Sequence, residues 1–329
     1  MRQGLASTSR FGTIELDKLA AALASATEQA AQAEQAVFAE LRSAVIAARD
    51  LLARIARATA ALDLVCGLAQ AAAEGLWSEP ELTDDFSLDI EGGRHPVAEA
   101  LLAAEARTFI ANDCKMDASS RLWLLTGTNM AGKSTFLRQV ALIVLLAQIG
   151  SFVPASRARI GIVDKLFSRI GASDDLAAGR STFMVEMLET SAILNQATSR
   201  SLVILDEVGR GTSTHDGLSI AQASMEYLHD SVGCRTLFAT HFHELAEAAE
   251  SMKRAACMAM DAAPGSHEEM FTYRVVPGRA GQSYGLKVAA VAGMPPTVLS
   301  RAAELLARHQ QDPASAAGGN SLHVAVKAG

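Results

Sequence analysis

The chain has 329 residues, half of them hydrophobic but only 5% aromatic, with a formal net charge of -7. That length supports one large or two modest domains with an aliphatic, alanine-rich interior, and the acidic balance argues against a surface built throughout for nucleic acid. No apolar signal segment opens the chain and no run approaches the roughly 20 apolar residues of a membrane span, so a soluble, cytoplasmic protein is expected, its scattered Cys66, Cys114, Cys234 and Cys257 reading as reduced structural thiols.

Residues 13–66 contain neither Gly nor Pro and are dominated by Ala, Leu, Glu, Gln and Arg, which predicts helix. Leu16, Leu19, Leu23, Ala26, Ala30, Ala33 and Val37 step by three and four into a narrow apolar seam, and beyond Val37 the phase slips through Phe38, Leu41, Val45, Leu52 and Ile55. One long rod with a stutter and a helical hairpin both satisfy this pattern, and in either case the seam asks for a helical partner. A turn-rich stretch at residues 78–85 ends the helical region, followed by an alternating, strand-like Phe86-Ser-Leu-Asp-Ile90 and a loop over residues 91–96. From there to about Gly285 short apolar runs, chiefly residues 121–126, 201–206 and 234–240, alternate with helical segments. This predicts an α/β domain whose strands are buried on both faces. A last helix is predicted over residues 298–310, and the small, polar residues 312–320 read as a disordered tail.

The chemistry concentrates in that α/β region. Gly127-Thr-Asn-Met-Ala-Gly-Lys-Ser134 is a complete G-x-x-x-x-G-K-S phosphate loop between a predicted strand and a helix over residues 135–148, the context such a loop requires. Gly127, Asn129, Met130, Ala131, Gly132, Lys133, Ser134 and Thr135 are therefore read as binding a nucleoside triphosphate. Backbone N–H groups would wrap the β-phosphate, Lys133 would reach the β/γ oxygens, and the Ser134 hydroxyl would ligate Mg²⁺. The apolar strand ending in Asp206-Glu207 supplies the second half of such a site, with Asp206 on Mg²⁺ and Glu207 polarising the attacking water. His241, closing the next strand, is placed to sense the γ-phosphate or orient water. Ser181 stands at a predicted helix N-terminus, where its hydroxyl meets a phosphate or simply caps the helix.

Four motifs in order carry a resemblance: Thr128-Asn-Met-Ala-Gly-Lys-Ser-Thr135, Gly179-Arg-Ser-Thr-Phe-Met-Val-Glu-Met187, Asp206-Glu-Val-Gly-Arg-Gly-Thr-Ser-Thr-His-Asp-Gly217 and Phe238-Ala-Thr-His-Phe-His-Glu-Leu245. They resemble the ATPase of the MutS family of DNA mismatch repair proteins, with further likeness at Arg94-His-Pro-Val97, Phe109-Ile-Ala-Asn112 and Ser283-Tyr-Gly-Leu286. The resemblance implies an ABC-like P-loop NTPase fold over residues 79–285, an N-terminal helical lever or clamp region over 1–78 and a helical dimerisation extension over 286–311. It implies ATP and Mg²⁺ as cofactors and a homodimer, or pairing with a full-length MutS-type subunit. In such a dimer each nucleotide is completed by the partner, Phe109 stacks on adenine, Asn129 acts at the composite site and Ser181 reaches the partner's γ-phosphate. Mismatched DNA, engaged through regions mostly outside this chain, and a MutL-type protein are the further partners it implies.

The sequence departs from the family pattern at two positions and, most of all, in an absence. Thr128 stands where the family's loop has Pro, which loosens the loop without removing a phosphate donor, and Ala259 is read as replacing a second nucleotide-contacting His. The family's mismatch-reading domain, with its Phe-x-Glu wedge, is not found. This leaves as alternative a nucleotide-binding fragment without mismatch recognition of its own. A transporter ATPase is disfavoured by the lack of a Leu-Ser-Gly-Gly-Gln signature, and the paralogue with a C-terminal nuclease by the lack of a further domain.

Overall fold

The computed structural model describes residues 3–5, 8–10, 12–128, 131–171, 182–261, 271–279 and 285–311. It divides into two units, residues 1–67 and 68–329. The first holds a short antiparallel ribbon, β1 (Gln3–Leu5) and β2 (Thr8–Arg10), and helix α1 (Ile14–Ala47); α2 (Arg49–Glu74) starts in it and crosses the division. Thr13 caps α1, its hydroxyl accepting from the Leu16 N–H at 3.1 Å.

Between the helices Ala48 keeps right-handed helical torsions (φ −87°, ψ 0°). The hydrogen-bond ladder passes through it, from Ala48 N–H to the Ala44 carbonyl and from Leu52 N–H to the Ala48 carbonyl. With no turn residue to reverse the chain, the segment is a rod with a one-residue irregularity, not a hairpin. Its apolar seam remains open, with Leu19 and Leu23 67% and 72% exposed and no residue of α1 buried.

The second unit is built on two sheets. The larger has the order β12-β11-β6-β10-β9-β8, all parallel except β12. Its strands are β6 (Leu122–Thr126), β8 (Leu166–Ile170), β9 (Leu202–Asp206), β10 (Arg235–Thr240), β11 (Ala255–Met260) and β12 (Val275–Pro277). The smaller has the order β3-β7-β4-β5, from β3 (Glu81–Thr83), β4 (Leu88–Gly93), β5 (Asn112–Met116) and β7 (Arg157–Gly161). Every residue of β6, β9 and β10 is buried, which explains their uninterrupted apolar runs. Trp123, Leu125, Ile204 and Leu237 pack with Phe136, Leu137, Val140 and Ile143 of helix α4 (Lys133–Gln148) in one core cluster. Leu122, Leu124, Val203, Leu205 and Phe238 belong to a second cluster with Ala221 and Met225 of α6 (Thr214–Glu226) and Leu245 of α7 (Glu244–Ser251).

Two local departures have identifiable causes. The strand expected from Phe86 begins at Leu88, because the Asp85 carboxylate accepts from the Ser87 N–H at 2.9 Å and from the Thr83 hydroxyl at 2.7 Å, closing a side-chain turn before the ladder starts. The expected loop over residues 91–96 is partly strand, and it ends at His95, whose Nδ1 accepts from Ala98 N–H to cap α3 (Pro96–Ala104). Helix α5 (Thr182–Gln196) follows β8, one π-helical turn (Tyr227–Val232) follows α6, and the described chain closes with α8 (Gly285–Val291) and α9 (Pro296–Gln311), the latter opened by a proline at its first turn. The tail over residues 312–329 lies outside the described residues.

Candidate nucleotide-binding site

Parallel pairing brings the carboxyl ends of the central strands level: Thr240 of β10 is in register with Thr126 of β6, and Ala239 with Asp206 of β9. Ligands of open α/β sheets gather at that edge. Three chain segments leave it. The phosphate loop follows β6, Glu207 follows β9 and His241 follows β10. Gly127 (φ +139°) and Gly132 (φ +98°) take torsions that side-chain-bearing residues rarely adopt, and Gly132 caps α4 in a left-handed turn. Ala131 N–H closes on the Thr128 carbonyl at 3.1 Å.

Lys133 is 1% exposed and its Nζ donates to the Gly127 carbonyl. Burial pushes its pKa down, against the pull of Glu207 and Asp206. One residue on, the Ser134 Oγ donates to Asp206 Oδ2 at 2.5 Å. Asp206 is 5% exposed, and its other oxygen, Oδ1, is buried with no hydrogen-bond partner among the described residues. Burial raises the Asp206 pKa, opposed by the Ser134 hydrogen bond. A buried, half-used carboxylate beside a serine hydroxyl is an oxygen donor set suited to a hard divalent cation. Among the described residues no cluster of three or more His, Cys, Asp and Glu forms a self-sufficient metal cage. The residues therefore fit an ion of the Mg²⁺ type that takes one or two protein ligands and completes its shell with phosphate and water.

Glu207 sits one residue beyond β9 in the left-handed region (φ +56°), its N–H hydrogen-bonded to the Ala239 carbonyl at 2.9 Å. Its Oε2 accepts from Arg210 Nη1 at 2.7 Å. The His241 ring lies 4.2 Å from that of Phe242, and desolvation lowers its pKa against the pull of Glu207, so the imidazole is neutral at neutral pH.

Two cavities flank the N-terminus of α4. One, of about 440 Å³, is lined by Ser134, Arg138, Asp206, Glu207, Arg210 and Glu186 among others. The other, of about 410 Å³, is lined largely by apolar and aromatic groups, including Leu101, Phe109, Ile110, Phe136 and Tyr273, with Thr135 at the loop end. Consecutive residues thus line different cavities: Ser134 the one walled by mixed charges, Thr135 the aromatic one.

Of the predicted site residues, Lys133, Ser134, Asp206, Glu207 and His241 meet at the sheet edge, Gly127, Ala131 and Gly132 shape the loop, and Phe109 lines the aromatic cavity. Asn129, Met130 and Ser181, with Ser283 and Tyr284, lie outside the described residues. Ala259 was read as replacing a second nucleotide-contacting His. Ala259 is 4% exposed within β11, paired with Thr126 and Val276, whereas Tyr273 stands in the wall of the cavity. Tyr273 is held by Asn112, which donates to the Tyr273 carbonyl at 2.8 Å and accepts from Val275 N–H at 2.7 Å. The signal available in sequence was the Phe109-Ile-Ala-Asn112 motif itself, whose Asn anchors the distant tyrosine.

A family model described as MutS domain V matches residues 123–310, more than half of the chain, taking in the phosphate loop, Asp206, Glu207 and His241 but not Phe109. The chain belongs to the MutS family. Over 312 residues it is 53% identical to the DNA mismatch repair protein MutS of Rhodopseudomonas palustris (strain BisA53), a match covering 93% of this chain and 34% of the relative. It is 54% identical to the MutS of Bradyrhizobium sp. (strain ORS 278) with the same coverage, and 49% identical over 310 residues to that of Rickettsia akari (strain Hartford), covering 94% of this chain and 35% of the relative. The chain spans about a third of the length of these MutS relatives. No described helix is long and apolar enough to cross a membrane.

Proposed function

We propose that the chain binds ATP with Mg²⁺ and hydrolyses it, as the motor module of a MutS-type mismatch repair protein. The observation that carries this reading is the Ser134–Asp206 pair, with its unused buried Oδ1, set beside Glu207 and directly after the phosphate loop. The loop's N–H groups and the positive end of α4 cradle the phosphates, and Lys133 neutralises the β/γ oxygens. Ser134 Oγ and Asp206 Oδ1 would hold Mg²⁺, which would supply neutralisation of the phosphates' negative charge. Glu207 orients and polarises the water. His241, neutral, is available to hydrogen-bond that water or the γ-phosphate. Phe109 and Tyr273 offer ring surfaces to the base in the apolar cavity.

Asn129 and Ser181 are assigned by resemblance to a composite site completed by a second copy of the chain or by a full-length MutS-type subunit. The segment of α8 and α9, which exposes Val298 and Leu305, serves as the dimerisation extension. The same reading assigns residues 1–78 to the lever, 79–285 to the ATPase and 312–329 to a tail, and places the module in the cytoplasm. Mismatched DNA and a MutL-type protein would be engaged through the larger assembly. The module by itself would then not distinguish mismatched from paired duplex; a gel-shift preference for the mismatch would overturn that point.

The test is ATP turnover as a function of protein concentration, with Lys133→Ala as control. A composite site predicts specific activity that rises with dimerisation and a loss of about 100-fold or more in the variant. Turnover independent of concentration sinks the composite site, and normal turnover in Lys133→Ala sinks the site assignment.

A further inference from the structure

Glu207 needs support from outside its own turn. Its φ of +56° is a torsion that non-glycine residues hold only where the surroundings over-determine it. The backbone just beyond is equally constrained: Gly209 has φ +89°, and a Cβ added there would lie 2.4 Å from the Gly217 carbonyl oxygen. The two glycines face each other closely, so residues 209–217 are closed at a neck that begins two residues after Glu207.

That neck is gripped by α5. Glu186, 4% exposed in the second turn of the helix, accepts the Gly209 N–H through Oε1 at 2.5 Å. Its other oxygen lies 3.5 Å from Nη2 of Arg169, itself 6% exposed on β8. Arg169 is in register with Leu205 on the neighbouring strand, one residue before Asp206, and it also reaches Glu189 at 3.3 Å. A buried carboxylate is a costly way to satisfy one amide, and a neutral side chain would serve for mere filling. Here the amide belongs to the turn that carries Glu207, and the next residue, Arg210, holds Glu207's own carboxylate. Glu186, Glu207 and Arg210 all line the cavity that contains Ser134 and Asp206.

We propose that Glu186 is a positioning residue for ATP hydrolysis: by holding Gly209 it fixes the turn that aims Glu207 at the attacking water. Arg169 is the countercharge that holds Glu186 in place. This rests on the ATPase reading above and adds to it the residue that sets the geometry of its base.

The experiment compares Glu186→Ala and Glu186→Gln in the full chain with MgATP. Glutamine keeps an oxygen for the Gly209 N–H; alanine does not. Glu186→Ala is expected to lower kcat about 10- to 100-fold, the cost of a misplaced catalytic group, with ATP affinity changed by less than about 3-fold. Glu186→Gln is expected to recover most of that loss. Amide hydrogen exchange at Gly209 gives a readout independent of turnover, slow in the wild type and in Glu186→Gln, and on the order of 10-fold faster in Glu186→Ala. Unchanged kcat in Glu186→Ala overturns the proposal. So does a parallel fall of affinity, turnover and melting temperature in both variants, which makes Glu186 a structural strut. A wild-type chain that neither binds nor hydrolyses ATP breaks the ATPase reading instead, whereas a Gly209 amide that exchanges equally fast in wild type and Glu186→Ala breaks the grip alone.

Discussion

The helical rod and the sheet-bearing unit put similar apolar side chains to opposite uses. In α1 the leucines at 16, 19 and 23 repeat every three to four residues, yet each is more than half exposed. In β9 the run Leu202 to Leu205 is wholly buried between two layers of helix. Hydrophobicity is matched; what differs is the partner. A strand obtains its neighbours from the rest of its own sheet, through pairing that the same chain supplies. A helix satisfies its backbone internally and so forms without a partner, leaving its seam to whatever the assembly provides.

The sharpest contrast between the two regions is chemical. Glu207→Gln is expected to reduce ATP turnover by about 10²–10⁴ while nucleotide binding persists, measured by single-turnover hydrolysis beside equilibrium binding; binding that collapses with turnover would move Glu207 from base to structural role. Next in size is the core. Leu205→Ala should lower unfolding free energy by about 2–5 kcal/mol in denaturant titrations, because a fully buried strand residue leaves a cavity. A smaller, pH-dependent effect separates His241 from an ordinary exposed imidazole. Since desolvation lowers its pKa, the neutral form persists as pH falls, and the acid limb of a turnover profile that depends on it should lie below about pH 6.5. A limb at or above that value would mean the ring is not desolvated in the working site. Last comes the rod: Leu23→Ala should change stability by less than about 0.5 kcal/mol, as for any exposed position. A loss comparable with Leu205→Ala would erase the comparison and show that the seam is already covered.

Much of the site was legible because its parts are local. A strand, a glycine-bearing turn and a helix N-terminus are neighbours in sequence, and so are an apolar strand and the Asp206-Glu207 that ends it. The start of β4 was harder, since the Asp85 side chain competes with the ladder for the Ser87 N–H and alternation alone does not reveal that competition. Tyr273 was missed because its place in the cavity depends on Asn112, far away in the chain. Glu186 stood inside a quoted motif, but nothing local distinguishes a carboxylate that grips a distant amide from one on a solvated helix face.

The sequence by itself determined the α/β alternation, the phosphate loop with its acid pair, and the family, since each is written in residues a few positions apart. The tertiary structure alone decided that the rod continues through Ala48, that Tyr273 lines the aromatic cavity, and that α5 holds the turn of Glu207. Those outcomes depend on which distant groups compete for the same hydrogen bonds and the same buried space, a competition that exists only once the sheet has brought them together.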